Sequence, residues 1–421
     1  MRQKLVPIIV CHPNKDLHVY RSRQKLLFLH TRSNLSLFLN WVETLDTHPT
    51  SSHKQTNFGF PVDTVRLQPS SDKNGETLRL ELDRDLMMAI SEYAPDSQIV
   101  ADNRLITSRY IKKIEGMEWD LYDYVRCKSN CNTLNIERHT FGALDDTLRE
   151  CKQCGSELKS SDRHTFLIPK FGFIMEPKPQ KVGLSKPDRT FRGEISYIGY
   201  ENRVEFTPIS VNGSIVQVGT SSNDELAVLN ESKFFVCTTC GYGEIDNGWY
   251  SNVKLKPGHH NPLGYTCPDE KLIRYSLGHR FKTDVVQLQF HSAELSDYEA
   301  ALSILYGFLE GISRYLSVER NDISGTLQWF SNPRTGFGNF ALILFDSTPG
   351  GAGHVRRINE PGALEGVMRE TLRLMKACTC GGEQMDSSCY SCLRNYYNQR
   401  VHDKLKRHYV VRFLERFGLE D

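Results

Sequence analysis

The stretch CTCGGEQMDSSCYSC, residues 378–392, sets four cysteines within fifteen positions, and nothing else in the chain limits its fold as strongly. What such thiols do depends on the compartment. The N-terminal MRQKLVPIIVCHP has only a short apolar run, broken by Pro7 and followed by no small-residue cleavage site, so no signal peptide is expected. No run approaches the ~18 apolar residues of a membrane helix. The expectation is a cytoplasmic protein without membrane contact, in which thiols stay reduced and grouped cysteines are metal ligands more often than disulfides.

Of the twelve cysteines, Cys11 stands alone on an expected strand and reads as a small buried apolar residue. The others form three sets. Cys127 and Cys131 are followed, nineteen residues on, by Cys151 and Cys154, which is zinc-ribbon spacing. Two ligand pairs on separate turns can converge on one tetrahedral ion, with Gly155 letting the backbone turn so that its amides face the sulfurs. In the second set, Cys237 and Cys240 are joined by Cys267 and by either His259 or His260. Three thiolates and one imidazole close a tetrahedral site and leave no position for a water, which favours structure over catalysis. The alternative is that both histidines are surface loop residues and Cys267 is free. The third set is Cys378, Cys380, Cys389 and Cys392. A Cys-x-Cys pair rarely meets disulfide geometry but chelates a metal readily. Zinc is expected here too, although an iron–sulfur cluster also uses four thiolates and the spacing does not separate the two.

Three structural Zn2+ ions would account for eleven cysteines. Their thiolates contribute −11 and the ions +6, so the formal net charge of +1 becomes −4. Nucleic-acid binding must therefore come from a local patch.

At 421 residues, with 39% hydrophobic and 24% charged residues, the chain is long enough for two or three domains of ordinary globular composition. The expected class is α+β: an N-terminal α/β region (1–118), a β-rich region with two zinc-ribbon-like sites (119–292), and a mixed, mostly helical zinc-binding domain (293–421). In the first, KLLFLH reads as a strand, NLSLFLNWVETL and ELDRDLMMAISEYA as helices, and TSSHKQTN as a polar loop. The second carries alternating strands such as VEFTPISV, SIVQVGT and TDVVQLQF. The third opens with a helix capped by Ser296 and Glu299, whose stripe is Ala301, Leu302, Leu305, Phe308, Leu309, Ile312 and Leu316.

Between the strand FALILFD and a following helix lies STPGGAGHV, where free amides can cradle a phosphate. It lacks the lysine and hydroxyl residue of a P-loop, so no ATP hydrolysis is expected. The plainer reading is that Gly350, Gly351 and Gly353 permit a tight turn. Asp346 and His354 read either as a proton-handling pair or as capping and loop residues. Downstream, Lys404, His408, Arg412 and Arg416 form a helical i, i+4 row beside the apolar row Leu405, Tyr409, Phe413 and Phe417. With Arg394 and Arg407, the basic residues Lys404, Arg412 and Arg416 are candidate nucleic-acid contacts; the alternative is a solvated face. Tyr396 and Tyr397 are expected in the core beside a metal site, or else as base-stacking faces.

The segments LILFDSTPGGAGHV, CTC and CYSCLRNYYNQRVHDKLKR, with Asn398, His402, Leu405 and Arg407 in the same order, resemble the MrfA-like zinc-binding domain family. That family ends superfamily 2 DNA helicases and includes the DrmB proteins of DISARM anti-phage systems. A weaker likeness extends upstream through LGHRFKTDVVQLQF, the CTTCG to GHHNPLGYTC unit and ISEYAPDSQIVADNRLITSRYI, where the family more often has glycine in place of Asp96. The resemblance implies that Cys378, Cys380, Cys389 and Cys392 bind metal; it assigns no catalytic residue. It further implies a non-enzymatic, DNA-binding accessory subunit for a superfamily 2 helicase (DrmA-like), in bacterial anti-phage defence. The alternatives are the C-terminal portion of a split superfamily 2 helicase in DNA repair, or a phosphodiester-acting enzyme using the Asp346 to His354 turn.

Overall fold

Two long antiparallel strands, Ser214–Val236 and Lys271–Gln289, run side by side through the larger part of the computed structural model. The structure describes the backbone of residues 8–11, 17–21 and 25–29, and residues 63–419 apart from 71–81, 130, 141–147, 178–179, 184–192, 199–204, 250 and 332–337. Because side chains alternate across a strand, each long strand serves two cores. On Lys271–Gln289, Val286 and Leu288 enter one core while Leu277, Phe281 and Val285 enter another. On its partner, Val216 and Val218 fill the first core, whereas Leu226 and Val228 fill the second with the same even numbering. A β-bulge makes the exchange: Ser221 faces Val285 and Asp224 faces Thr283, so the bulged strand carries one extra residue. One added residue moves every later side chain to the other face.

These strands belong to an eleven-stranded sheet. The hairpin Ile323–Ser331 and Gly338–Asp346 joins it by pairing antiparallel with Lys271–Gln289. The boundary expected at 292/293 therefore cuts through a sheet, and the chain divides instead into Met1–Phe58 and Gly59–Asp421. Among the described residues of the smaller unit is a three-stranded antiparallel sheet, Ile8–Cys11, Leu17–Arg21 and Lys25–Leu29, with Cys11 on its first strand as expected. The NLSLFLNWVETL helix and the TSSHKQTN loop fall outside the described residues.

On one face of the large sheet pack three helices, α2 (Tyr298–Leu316), α3 (Ala363–Ala377) and α4 (Arg407–Glu415). On the other lie a six-stranded sheet and α1 (Leu86–Glu92). The class is thus α+β and strand-rich, with four α-helices among the described residues. The expected stripe of α2 is buried throughout. Its cap is not the expected one: Asp297 accepts the Ala300 N–H at 2.8 Å, and Ser296 turns back to the Ala293 carbonyl. ELDRDLMMAISEYA is likewise helical only from Leu86, because Leu82–Asp85 pairs with Thr64–Gln68 and Asp85 caps the helix by accepting the Met87 N–H. Asp96, where the family favours glycine, has φ +70°. Its carboxylate offsets that strain by binding Arg109 and the Ile245 N–H at 2.6 Å. Among the described residues no helix is long and apolar enough to cross a membrane.

Candidate metal centres

Each donor set grows from the end of a regular element. Cys127 directly follows the strand Asp120–Arg126, and Cys131 sits in the turn before Leu134–Arg138. Cys237 follows Ser214–Val236, and Cys267 precedes Lys271–Gln289, so the second set ties together the ends of the two long strands. Cys378 ends α3. Three Cys-x-x-Cys turns share one local geometry, in which the residue after the second cysteine donates its N–H to the first cysteine's carbonyl: Gly155 to Cys151 at 2.8 Å, Gly241 to Cys237 at 2.9 Å, Leu393 to Cys389 at 3.1 Å. The Gly155 amide thus meets a carbonyl and not a sulfur. Gly241 has φ +78°, and a Cβ there would overlap the Ile111 carbonyl oxygen, so no other residue fits the second turn.

The structure brings together Cys127, Cys131, Cys151 and Cys154; Cys237, Cys240, His259 and Cys267; and Cys378, Cys380, Cys389 and Cys392, with all ligand atoms of a set within 4.8 Å of one another. Neighbouring sulfurs lie 3.4 to 3.8 Å apart. A tetrahedral zinc with Zn–S of about 2.3 Å requires sulfurs about 3.8 Å apart, so the donor sets fit zinc in number, chemistry and spacing. Of the two candidate histidines, His259 is buried with Nε2 3.3 Å from the Cys240 sulfur, while His260 is exposed and bridges to Thr266, outside the set. The Lys256 carbonyl, 3.0 Å from His259 Nδ1, takes that nitrogen's proton in a hydrogen bond and leaves the Nε2 lone pair facing the thiols. Sulfurs also receive donors of the kind that support thiolates: the Cys389 N–H to Cys392 at 3.2 Å, the Ser391 N–H to Cys389 at 3.4 Å, and the Asn135 amide to Cys151 at 3.5 Å. Asn135 gave no sequence signal, since it lies between the two pairs and outside any spacing pattern.

Within the second set the thiols are unequal. Hydrogen bonding from the Cys240 thiol holds Cys237 down to about 5, while that same bond and burial push Cys240 strongly up. One thiol ionises readily and its neighbour then resists, as expected where negative charges crowd without a cation. A divalent ion is what lets all three ionise.

Around the third set, the residues of the family-like tail form a scaffold. Arg407 is buried and donates to the Met375 carbonyl at 2.6 Å and the Cys380 carbonyl at 2.8 Å. A phosphate contact needs an accessible guanidinium, so Arg407 leaves the nucleic-acid set. Asn398, fully buried, donates to the Leu393 carbonyl and binds His402 through its side-chain oxygen at 2.8 Å. Arg394 is partly buried against Ser388 and the His402 carbonyl. The expected i, i+4 row does not share one helix, for α4 starts at Arg407. Lys404 lies before it, 5.5 Å above the Tyr298 ring, and Arg416 follows it, paired with Glu294. Arg412 is exposed, with no ion pair among the described residues. Tyr396 and Tyr397, expected in the core, are exposed.

The glycine-rich turn is filled from within. Asp346, buried, accepts the N–H groups of Ala352, His354 and Val355 at 2.7, 3.0 and 2.9 Å, and Asp284 accepts that of Gly353 at 3.0 Å. The amides that would cradle a phosphate already hold carboxylates. Asp346 meets His354 through the main chain, which removes the basis for a proton-handling pair.

A family model described as the MrfA Zn-binding domain matches residues 305–393, from within α2 to the residue after Cys392. The chain is 24% identical over 364 residues to Druantia protein DruE of Escherichia coli (strain UMEA 4076-1); the match covers 77% of this chain and 19% of DruE. It therefore spans about a fifth of that relative's length. Among solved structures, the DUF1998 helicase MrfA bound to DNA aligns with a TM-score of 0.38 and 11% identity, covering 92% of this chain and 39% of that one.

Proposed function

We propose that this chain is a non-catalytic, zinc-stapled unit that binds DNA and serves a helicase motor, holding three structural Zn2+ ions. The observation that carries the reading is the closed third set inside the MrfA Zn-binding match: four thiols converge, and α3, the Cys389–Cys392 turn and Arg407 hold them. A closed tetrahedral set has no coordination position for substrate or activated water. The glycine-rich turn, its amides taken by Asp346 and Asp284, supports the same reading, and the isolated chain is expected to release no phosphate from ATP or GTP. The bacterial anti-phage setting and a DrmA-like superfamily 2 helicase partner follow from the family resemblance. The DruE match, which occupies a fifth of that protein, favours a variant in which the unit is one segment of a larger machine.

The test is recovery of the native complex from cells, with bound protein, nucleic acid and metal quantified. Co-purification of a helicase and DNA, with about three zinc per chain, supports the proposal. A complex of protein alone, with no nucleic acid retained at low salt, replaces it with a scaffold between proteins.

A further inference from the structure

A cavity of about 430 Å3 opens between α1, the Ile323–Ser331 hairpin, α2 and the loop after the third cysteine set. That volume falls in the range of about 300–1,000 Å3 typical of small-ligand sites. Cys131 of the first donor set and its near neighbour Asn132 line it, as do residues 395–397 and Arg400 beyond the third set, so two stapled elements contribute to it. Seven of its lining residues are aromatic. Trp329 and Phe340 meet edge to face at 4.8 Å, Tyr298 meets Phe340 at 5.8 Å, and Tyr396 and Tyr397 stand exposed at the mouth.

Most of the charged lining residues are already committed. Arg126 binds Glu231, Arg320 binds Glu310, and Glu92 binds Arg84. Arg400 has no ion pair among the described residues and is exposed. Burial pushes the Tyr298 and Tyr306 phenols up; the Glu194 charge adds to this and the Arg400 charge opposes it. The cavity thus offers flat aromatic faces, an acceptor in Glu194 and a cation at the entrance, with Lys404 over the Tyr298 ring beside it.

We propose that this cleft receives an unpaired nucleobase of a single strand, stacked at Tyr396 or Tyr397, with Arg400 on an adjacent phosphate. A base has two π-faces and an edge of donors and acceptors, which is what the aromatic walls and Glu194 meet; its phosphate meets Arg400. The inference rests on the DNA-binding reading above and deepens it by naming the strand form and the site.

The zinc-loaded full chain would be titrated with four probes: an oligothymidine, a strand of equal length whose central sugars lack bases, a duplex, and free thymidine monophosphate. The wild type should prefer oligothymidine to the abasic strand. Tyr396→Ala with Tyr397→Ala should weaken oligothymidine binding by about 5- to 150-fold, the worth of one stacked base, and erase that preference. Zinc content and abasic-strand binding should stay unchanged, and the double Tyr→Phe variant should restore the preference. Equal wild-type affinity for thymidine and abasic strands overturns the cleft assignment while leaving DNA binding intact. Binding of none of the strands overturns the DNA-binding reading as well. Free thymidine monophosphate binding as tightly as the strand would reassign the cleft to a free nucleotide.

Discussion

The turn after Asp346 and the loop from Cys378 to Cys392 both gather polar atoms at the end of a regular element, yet they balance their charge in opposite ways. In the turn, converging N–H groups meet a carboxylate supplied by the chain itself. In the loop, four thiols converge on one another, and Arg407, the nearest buried cation, is spent on carbonyls of the surrounding backbone. The first arrangement is complete without a ligand. The second is complete only with a cation, because burying thiolates together without one is strongly unfavourable. An internal counter-charge marks a structural turn, and its absence marks a binding site.

That contrast predicts a ranking. Cys389→Ser should remove metal from the third set and unfold the C-terminal region, since zinc in a small cysteine site can supply ~10 kcal/mol or more of folding free energy, against ~1 to 3 kcal/mol for an ordinary substitution. Limited proteolysis reads this directly, and wild-type resistance across residues 340–421 would break the comparison. Asp346→Asn removes the charge and, in either orientation of the amide, puts its NH2 donor where at least one N–H group now points. Losing charge-assisted bonds at a buried site should lower stability by about 3 kcal/mol, with zinc content unchanged. Denaturant titration with parallel metal assay checks both parts; loss of zinc would show that the two regions are not separable. Gly351→Ala is a smaller probe of the same turn: at φ +76° with Asp284 against the new methyl, it should cost about 1 to 3 kcal/mol, read as a lower denaturation midpoint. The smallest effect concerns charge at the surface. With Arg416 paired to Glu294 and Lys404 packed on Tyr298, changing Lys404, Arg412 and Arg416 together to glutamine should flatten the salt dependence of DNA binding by about 1 unit, the share of one phosphate contact, and not by 3. A flattening near 3 would put all three on phosphates.

The metal sets were legible in the sequence because a Cys-x-x-Cys turn is a local object, closed by one hydrogen bond across four or five residues. The α2 stripe was legible for the same reason. What stayed hidden depends on distant parts of the chain. His259 is selected over His260 by the carbonyl of Lys256 and the distance to Cys240, which no spacing rule encodes. The start of α4 is fixed by the Ser387 and Met385 carbonyls, which accept the Arg407 and His408 N–H groups and stop the helix from extending back to Lys404. Its charge alone placed Arg407 among the candidate nucleic-acid contacts, whereas its partners are carbonyls of α3 and the thiol loop. The bulge at 221–224 switches the core that the even-numbered residues of one strand enter, and alternation alone reads each half as an ordinary strand. The cleft is assembled from six separate stretches and a few single residues between Asp85 and Arg400, and has no linear signature.

If three closed donor sets each hold one zinc ion as part of the fold, the ions stay with the chain through purification. Elemental analysis of the pure chain, after dialysis against metal-free buffer without chelator, tests it most directly. Three zinc ions per chain and no iron are expected. Two or fewer retained zinc ions, or iron in stoichiometric amount, would contradict it.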